Sequence, residues 1–413
     1  MKKAVDSFIP VILGGDLNAY SMAMAFAAKY GIRSHVFARE RLAITDSSAF
    51  IELHTVRNLD KCDAAVPALL KFADEHEKQN LILIPCADWY MEMLEYARDA
   101  LKGRFFFHVP EFEVWRAVSD KSLFLEIMDR YGIKHPKSVV FGNNFSAIEK
   151  RCRDIKPPFV VKPSDSDEYW RNLFEGMEKV YFADSLAEVK HIGNLIFESG
   201  YSGKIMVQEY VGNKNGALPP YASVLTTYSN RRGKVIRAVL GDVVLEEMSP
   251  TARGNYSAIV TRRPDDITYK IIRMLEGIGY TGIANFDILT ADGVSYCLEL
   301  NPRQGRSFDY VRSAGIDLAE LLVEEMRGLP NDEQLFYDDG FWRSVSRRTV
   351  LKHANNRGLL KKVLELEKSG RAITPYDFKA DKGIARRMYV AVHLMREGRR
   401  YSKYAKEAKN AVE

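Results

Sequence analysis

The stretch Asn285-Phe286-Asp287-Ile288-Leu289-Thr290-Ala291-Asp292-Gly293-Val294-Ser295-Tyr296-Cys297-Leu298-Glu299-Leu300-Asn301-Pro302-Arg303 decides the fold. Two apolar runs flank Ala-Asp-Gly, which suits a hairpin with a three-residue loop and Gly293 in the left-handed position. That loop pairs Thr290 with Val294 and therefore Asp287 with Cys297. Asp287 then shares a face with Glu299 as a diagonal neighbour, about 7–8 Å away at Cα. Alternation along the strand brings Asn301 to the same face. A two-residue Asp-Gly loop would put Asp287 on the opposite face, so the longer loop is part of the expectation. Two carboxylates and an amide oxygen on one face form a hard-oxygen set suited to Mg2+, an ion that keeps several waters and is completed by substrate phosphates. Arg303, just past a strand-ending proline, can hold a phosphoryl or carboxylate oxygen bidentately. The competing reading is a solvent-facing hairpin with scattered polar residues.

Upstream, the grammar is different. Phe8–Leu13 reads as a buried strand stopped by Gly14-Gly15-Asp16, followed by a helix over Ser21–Tyr30 closed by Gly31. Strands follow at Ser34–Phe37 and Leu81–Pro85, the alternation of a parallel α/β unit. The Gly14-Gly15 turn lacks the G-x-G-x-x-G spacing of a dinucleotide site, which disfavours a nicotinamide oxidoreductase. A Rossmann-like scaffold with a ligand edge at its strand ends is the better reading, and Asp88, after the last of these strands, is expected to cap the next helix. From about Ser119 come a helix over Asp120–Tyr131, the strand Phe159–Pro163, and then hairpin strands at Lys204–Val211, Ala222–Tyr228, Lys234–Leu240 and Val243–Met248. Turns are expected at Asn230–Gly233 and Gly241-Asp242.

Lys162 ends an apolar strand before Pro163, an odd place for a charge unless it projects into a cleft. Lys121 follows Ser119-Asp120, which reads as a helix N-cap. Gln208-Glu209-Tyr210-Val211 breaks an apolar strand and can offer backbone groups to an adenine edge. In order and approximate spacing, Lys121, Val160-Val161-Lys162-Pro163, Gln208–Val211, Asp287 and Glu299–Arg303 resemble the ATP-grasp superfamily over about residues 1 to 325. The resemblance implies an α/β plus α+β fold. A Rossmann-like domain (1–117) would precede two ATP-grasp subdomains (118–200 and 201–330) and a basic, mainly helical extension (331–413). It also implies that ATP is the co-substrate. Lys121 and Lys162 would contact its phosphates, Gln208, Glu209, Tyr210 and Val211 its adenine, and Asp287, Glu299 and Asn301 would hold Mg2+. Many members carry a glycine-rich flap after the second lysine. Here that flap is Ser164-Asp165-Ser166-Asp167-Glu168-Tyr169-Trp170, in which Ser164 and Ser166 lie where phosphate would be cradled. No acidic ribose ligand follows the hinge, where Gly212-Asn213-Lys214-Asn215 stands.

The Glu-Tyr-Trp flap, Pro250-Thr251-Ala252-Arg253-Gly254-Asn255-Tyr256 and the long basic tail are similar to the D-aspartate ligase branch of the superfamily. That branch implies an ADP-forming carboxylate–amine ligase working through an acyl phosphate. Its partners would be an amino-acid carboxylate, D-aspartate above all, and the lysine amine of a UDP-linked or lipid-linked peptidoglycan precursor. Arg303 would steady the γ-phosphate or the carboxylate, with Arg253 as a second candidate for the acyl phosphate. The alternatives are a ligase making a small peptide or another amide metabolite, and an inactive nucleotide-binding regulatory protein.

The composition agrees with an enzyme of this size. The chain has 413 residues, 46% hydrophobic and 28% charged, which excludes disordered, collagen-like and disulfide-knot proteins. Cys62, Cys86, Cys152 and Cys297 stand far apart with no Cys-x-x-Cys pair, and no apolar run nears the roughly 18 residues of a membrane span. Met1–Asp6 lacks the apolar stretch of a signal peptide, so a cytoplasmic location is expected. No histidine belongs to a recognisable ligand motif. The net charge of +5 divides unevenly: residues 341–413 carry 19 Lys+Arg against 7 Asp+Glu. Arg347-Arg348, Lys361-Lys362, Arg386-Arg387 and Arg399-Arg400 contribute, with helices expected over Lys361–Lys368 and Gly383–Gly398. This tail reads as a solvated cap, or as attracted to the diphosphate of a precursor or to an anionic membrane leaflet. No nucleic-acid module accompanies it, so no nucleic acid is expected. A homodimer is left open.

Overall fold

The computed structural model describes residues 7–212, 220–249, 252, 254–330, 332–335, 337–381 and 383–410, without the side chains of Ser166, Asp167 and residues 408–410. Its first sheet is parallel: β1 (Phe8–Leu13), β2 (Ser34–Ala38), β3 (Ile51–Thr55), β4 (Asn80–Pro85) and β5 (Phe105–Phe106), in the order β3-β2-β1-β4-β5. The order reverses between β1 and β4, so the crevice outside their carboxyl ends is the ligand edge of such a sheet. The helix after β1 spans Leu17–Tyr30, one turn longer than expected. The Asp16 carboxylate caps it by accepting from the amides of Asn18 and Ala19, and Gly31 closes it at φ 67°. β3 and β5 escape the sequence reading, since β3 alternates polar residues on an edge and β5 has two residues.

The second sheet is antiparallel and small: β6 (Ser138–Phe141), β7 (Phe159–Pro163), β8 (Tyr181–Ala183) and β9 (Ile205–Glu209), ordered β6-β9-β7-β8. The third has seven strands: β10 (Tyr221–Ser229), β11 (Val235–Glu246), β12 (Tyr256–Arg262), β13 (Gly282–Ala291), β14 (Val294–Asn301), β15 (Phe341–Arg343) and β16 (Ala372–Ile373). Their order is β14-β13-β10-β11-β12-β15-β16.

One expected turn is absent. Gly241-Asp242 lies inside β11, with Gly241 paired to Val224 on one side and Thr261 on the other. A Cβ at Gly241 would lie 2.4 Å from Ile259 Cγ2 and 3.1 Å from the Tyr310 ring. The glycine therefore serves close packing rather than chain reversal. Tyr310 uses that space to accept from the Thr226 amide (2.9 Å) and donate to the Val239 carbonyl (2.5 Å), stitching β10 to β11.

The C-terminal segment is built in rather than laid on. β15 pairs antiparallel with β12, β16 runs parallel to β15, and the last helix spans Ile384–Asn410, well beyond the expected end at Gly398. Two of its arginines are structural. Arg386 is buried: it donates to the Ile44 carbonyl (2.7 Å), pairs with Asp381 (3.0 Å) and stacks over Tyr20 (4.3 Å). Arg400 pairs with Glu247. The expectation of a solvated cap thus fails at these positions, because Arg386 pairs with Asp381, which is buried against Tyr20 and Ala49, and Arg400 pairs with buried Glu247.

His108 joins the first sheet to the third, with Nε2 donating to the Ser229 carbonyl at 2.7 Å. It is 8% exposed, and burial pushes its pKa down to about 4. The unfolded chain protonates first, so stability present above pH ~6.5 is lost as pH falls toward 4, by on the order of 2 kcal/mol at pH 5. Urea unfolding should show that slope, and His108→Gln should flatten it by this amount. Any remaining slope falls to groups such as His35, which burial also pushes down to about 4.

Candidate active site

The hairpin turn has two residues, Asp292 and Gly293, both at positive φ (49° and 74°), and Ala291 pairs with Val294. The expected three-residue loop is therefore wrong. A plain ladder on this turn would set Asp287 opposite Leu298 and turn Glu299 toward the core. Instead the register shifts between Ile288 and Asp287: Ile288 pairs with Cys297, but Asp287 pairs with Glu299. Leu298 is the extra residue of a β-bulge, and the bulge returns the two carboxylates to one face. They end as directly opposed neighbours, nearer than the expected diagonal, with Asn301 and Asn285 the next pair on that face.

The two carboxylates share a hydrogen bond, and burial together with repulsion from Glu299 pushes the Asp287 pKa up to about 8. Burial alone would raise Glu299 as well. Lys121, Lys162 and Lys179 outweigh it and hold Glu299 below the usual carboxylate range. Lys121 opens the helix Lys121–Arg130, which Asp120 caps as expected, and its Nζ stands 3.5 Å from Glu299 Oε2. Lys162, on β7, has its pKa lowered by burial, against the pull of Glu299 and Asp287. The cleft is open on one side: Glu299 keeps 34% of its side chain exposed. Lys179, just before β8, escaped the sequence reading, having no motif around it; only its place beside the other two lysines marks it. Tyr256, on β12, was quoted in the sequence but given no role, and it is hydrogen-bonded to Asp287.

These donors fit a divalent cation. Two opposed carboxylates and a nearby amide oxygen are hard ligands.

The other expected residues fall variously. The Ser164 hydroxyl is buried with no partner among the described residues, while its amide donates to the Lys204 carbonyl at 2.7 Å. Gln208 does not present its side chain to a ligand: it is buried and donates to Ser138 Oγ at 2.9 Å. β9 ends at Glu209, whose amide donates to the Lys137 carbonyl, and Tyr210 and Val211 continue the chain beyond the sheet. Tyr210 is 39% exposed, its ring edge-on to Phe182. Arg253, the Ser166 side chain and the ribose position at residues 213–215 lie outside the described residues.

Arg303 points toward the first sheet. It donates to Asp88 (2.5 Å), to the Gln304 carbonyl (2.9 Å) and to Asn301 Oδ1 (3.4 Å). Asp88 is thus an anchor for Arg303. The expected cap is absent, because the N-cap of the following helix is Ala87 and makes no side-chain bond. Gln304 donates to the Pro85 carbonyl and Asn18 to the carbonyls of Cys86 and Gln304, each at 3.1 Å. This tie fastens the hairpin's end to the β1–β4 ligand edge. Around it, Asn18 Oδ1, Trp89 Nε1 and Arg303 Nε are buried with no hydrogen-bond partner among the described residues. His35 and His54 do meet, at 2.9 Å on adjacent strands with Glu52 nearby; packing on Phe37 and Phe72 accounts for the pair.

No known family model matches the chain. Along nearly its whole length it is similar to a D-aspartate ligase of Enterococcus faecium, 27% identical over 97% of each protein. In three dimensions it is similar to the biotin carboxylase domain of a Hydrogenobacter thermophilus 2-oxoglutarate carboxylase, solved with MgADP and bicarbonate. That likeness has a TM-score of 0.62, 15% identity, and covers 81% of this chain and 74% of that one. An L-amino acid ligase from Bacillus licheniformis gives 0.56, 14%, 80% and 76%. The chain has the ATP-grasp fold. The α/β front, the small four-stranded sheet and the larger antiparallel sheet are the parts of that fold. In this ATP-grasp chain the three lysines and two carboxylates meet where the last two of those sheets approach each other.

Proposed function

We propose that the chain is an ADP-forming carboxylate–amine ligase that joins D-aspartate to the lysine side chain of a peptidoglycan precursor, UDP-linked or lipid-linked. The observation that carries the ligase reading is the convergence of Lys121, Lys162 and Lys179 on the Asp287–Glu299 pair. The similarity to a D-aspartate ligase over nearly the full length supports the substrate. Dependence on ATP agrees with the cytoplasmic location expected from the sequence.

In this reading Asp287, Glu299 and Asn301 hold Mg2+, which when bound supplies charge neutralisation to the phosphates. Lys121, Lys162 and Lys179 neutralise phosphate oxygens from the opposite side, Ser164 and Ser166 lie along the phosphate loop, and the backbone of Glu209–Val211 takes the adenine edge. The γ-phosphoryl group passes to a carboxylate oxygen of the amino acid, breaking its bond to ADP. The acceptor amine then attacks the acyl carbon, loses a proton, and expels phosphate as the amide forms. Arg303, braced by Asp88, stands between the metal ligands and the β1–β4 edge, where it can hold the substrate carboxylate or the transferring phosphoryl group. Arg253 is kept as a second cation for the acyl phosphate.

ADP release with a panel of D- and L-amino acids, with and without a UDP-linked precursor, tests this. D-aspartate with precursor should give turnover at least about tenfold above every other pair, the lower end of what pocket contacts supply. Turnover with L-amino acids alone would make the product a small peptide. ATP binding without any amino-acid-dependent ADP release would reduce the protein to a nucleotide-binding regulator.

A further inference from the structure

The helix Ile384–Asn410 has two unlike faces. The inner one is fixed by Arg386, by His393 against the Tyr376 hydroxyl (2.9 Å), by Arg400 on Glu247, and by buried Tyr401, which donates to Ser257 Oγ at 2.8 Å. The outer face carries Ile384, Met388, Val392 and Met395, exposed by 80, 65, 40 and 50%. Steps of four, four and three residues place them in one stripe on a helix of 3.6 residues per turn. A lone exposed apolar side chain needs no explanation, but a continuous exposed row along one helix face marks a contact surface.

The margins of the stripe say what it contacts. Arg387, Arg396, Arg399, Lys403 and Lys406 are exposed on the same helix. Glu407 is the one exposed acid among the helix's described side chains, and it is itself 3.8 Å from Lys403. A second copy of the chain docking through this face would lay one cationic margin against another, which like-charge repulsion opposes. An apolar stripe bordered by Arg and Lys instead suits an interfacial helix, whose apolar side enters the headgroup boundary while the cations meet lipid phosphates. No helix among the described residues is long and apolar enough to cross a membrane, so the contact is peripheral.

We propose that the outer face of this helix docks the protein on an anionic phospholipid surface, with Ile384, Met388, Val392 and Met395 as the inserted stripe. This inference does not depend on the ligase reading. It differs from a purely electrostatic tail, because two of the most prominent arginines are already engaged, Arg386 in the interior and Arg400 with buried Glu247.

Full-length protein is sedimented with vesicles of phosphatidylglycerol and phosphatidylcholine, and with phosphatidylcholine alone, at low and high salt. Binding is expected only with phosphatidylglycerol, falling about tenfold at high salt as the cationic margin is screened. Met388→Ser with Met395→Ser should weaken binding by about tenfold as well, from lost apolar insertion. Both side chains are exposed, so the thermal midpoint should be unchanged, and Arg399→Gln with Lys403→Gln gives an independent loss through charge. The proposal fails if wild-type protein does not pellet with phosphatidylglycerol, or if the serine variant pellets equally. Sedimentation velocity showing a dimer that the serine substitutions dissociate would reassign the stripe to self-contact and also overturn it.

Discussion

Asp287→Asn and Glu299→Gln are each expected to lower ATP turnover by about two to three orders of magnitude, the range lost when one fixed electrostatic group is removed from a reacting centre. The two should part in the unliganded protein. Asp287→Asn replaces a carboxyl whose charged form is disfavoured by burial and by repulsion from Glu299, so the fold should be as stable as wild type or more so. Glu299→Gln leaves Lys121, Lys162 and Lys179 facing a single carboxylate, so it should lose some thermal stability as well as activity. ADP release at limiting and saturating Mg2+, beside thermal midpoints, separates the effects. Near-normal turnover of both variants at limiting Mg2+ would remove the pair from the metal site.

Lys162→Met should weaken binding of MgATP by roughly a hundredfold, since charge-assisted hydrogen bonds from a buried cation are worth about 1.5–3 kcal/mol. Lys162→Arg should lose less, because charge is kept while geometry changes. Lys121→Met should act in the same direction but more weakly, since Lys121 keeps 32% of its side chain exposed. Lys179→Met is the sharper test of the site's extent, as only the folded arrangement brings that residue in. Calorimetry with a non-hydrolysed ATP analogue measures all four. Wild-type affinity in Lys162→Met and Lys121→Met together would mean that the phosphates bind elsewhere.

The elements that were readable beforehand share a property: their determinants are local. β1 and β4 are apolar runs ended by glycine or proline, β7 is an apolar run whose one charge, Lys162, stands before Pro163, and Asp120 caps its helix with the amides two and three residues on. The errors arise where local chemistry and tertiary demand disagree. Asp292-Gly293 is a strong two-residue turn signal, yet Asp287 and Glu299 face together only if one residue is extra. Held side by side, those two statements require a bulge, and Leu298 provides it. Gly241-Asp242 has turn chemistry, but the deciding partner is Tyr310, sixty-nine positions away and invisible to pattern. Asp88 reads as a cap because aspartate so often is one, until Arg303 arrives from the far end of the hairpin. Lys179 has no sequence signal at all.

The tie between Asp381 and Tyr20 bears on how the chain is made. The Tyr20 hydroxyl and the Ala49 amide both donate to the Asp381 carboxylate, and the Ile44 carbonyl accepts from Arg386. The partners in the first of these bonds are 361 positions apart. On the ribosome, where domains fold from the N-terminal side at about 5–20 residues per second, the parallel sheet emerges early and waits tens of seconds for them. During that interval three polar groups of the nascent front half face water, or whatever else is near. Release of the finished chain therefore completes the first-made region as well as the last, and a translation product stopped short of Asp381 would carry that vacancy as a ready mark for quality control.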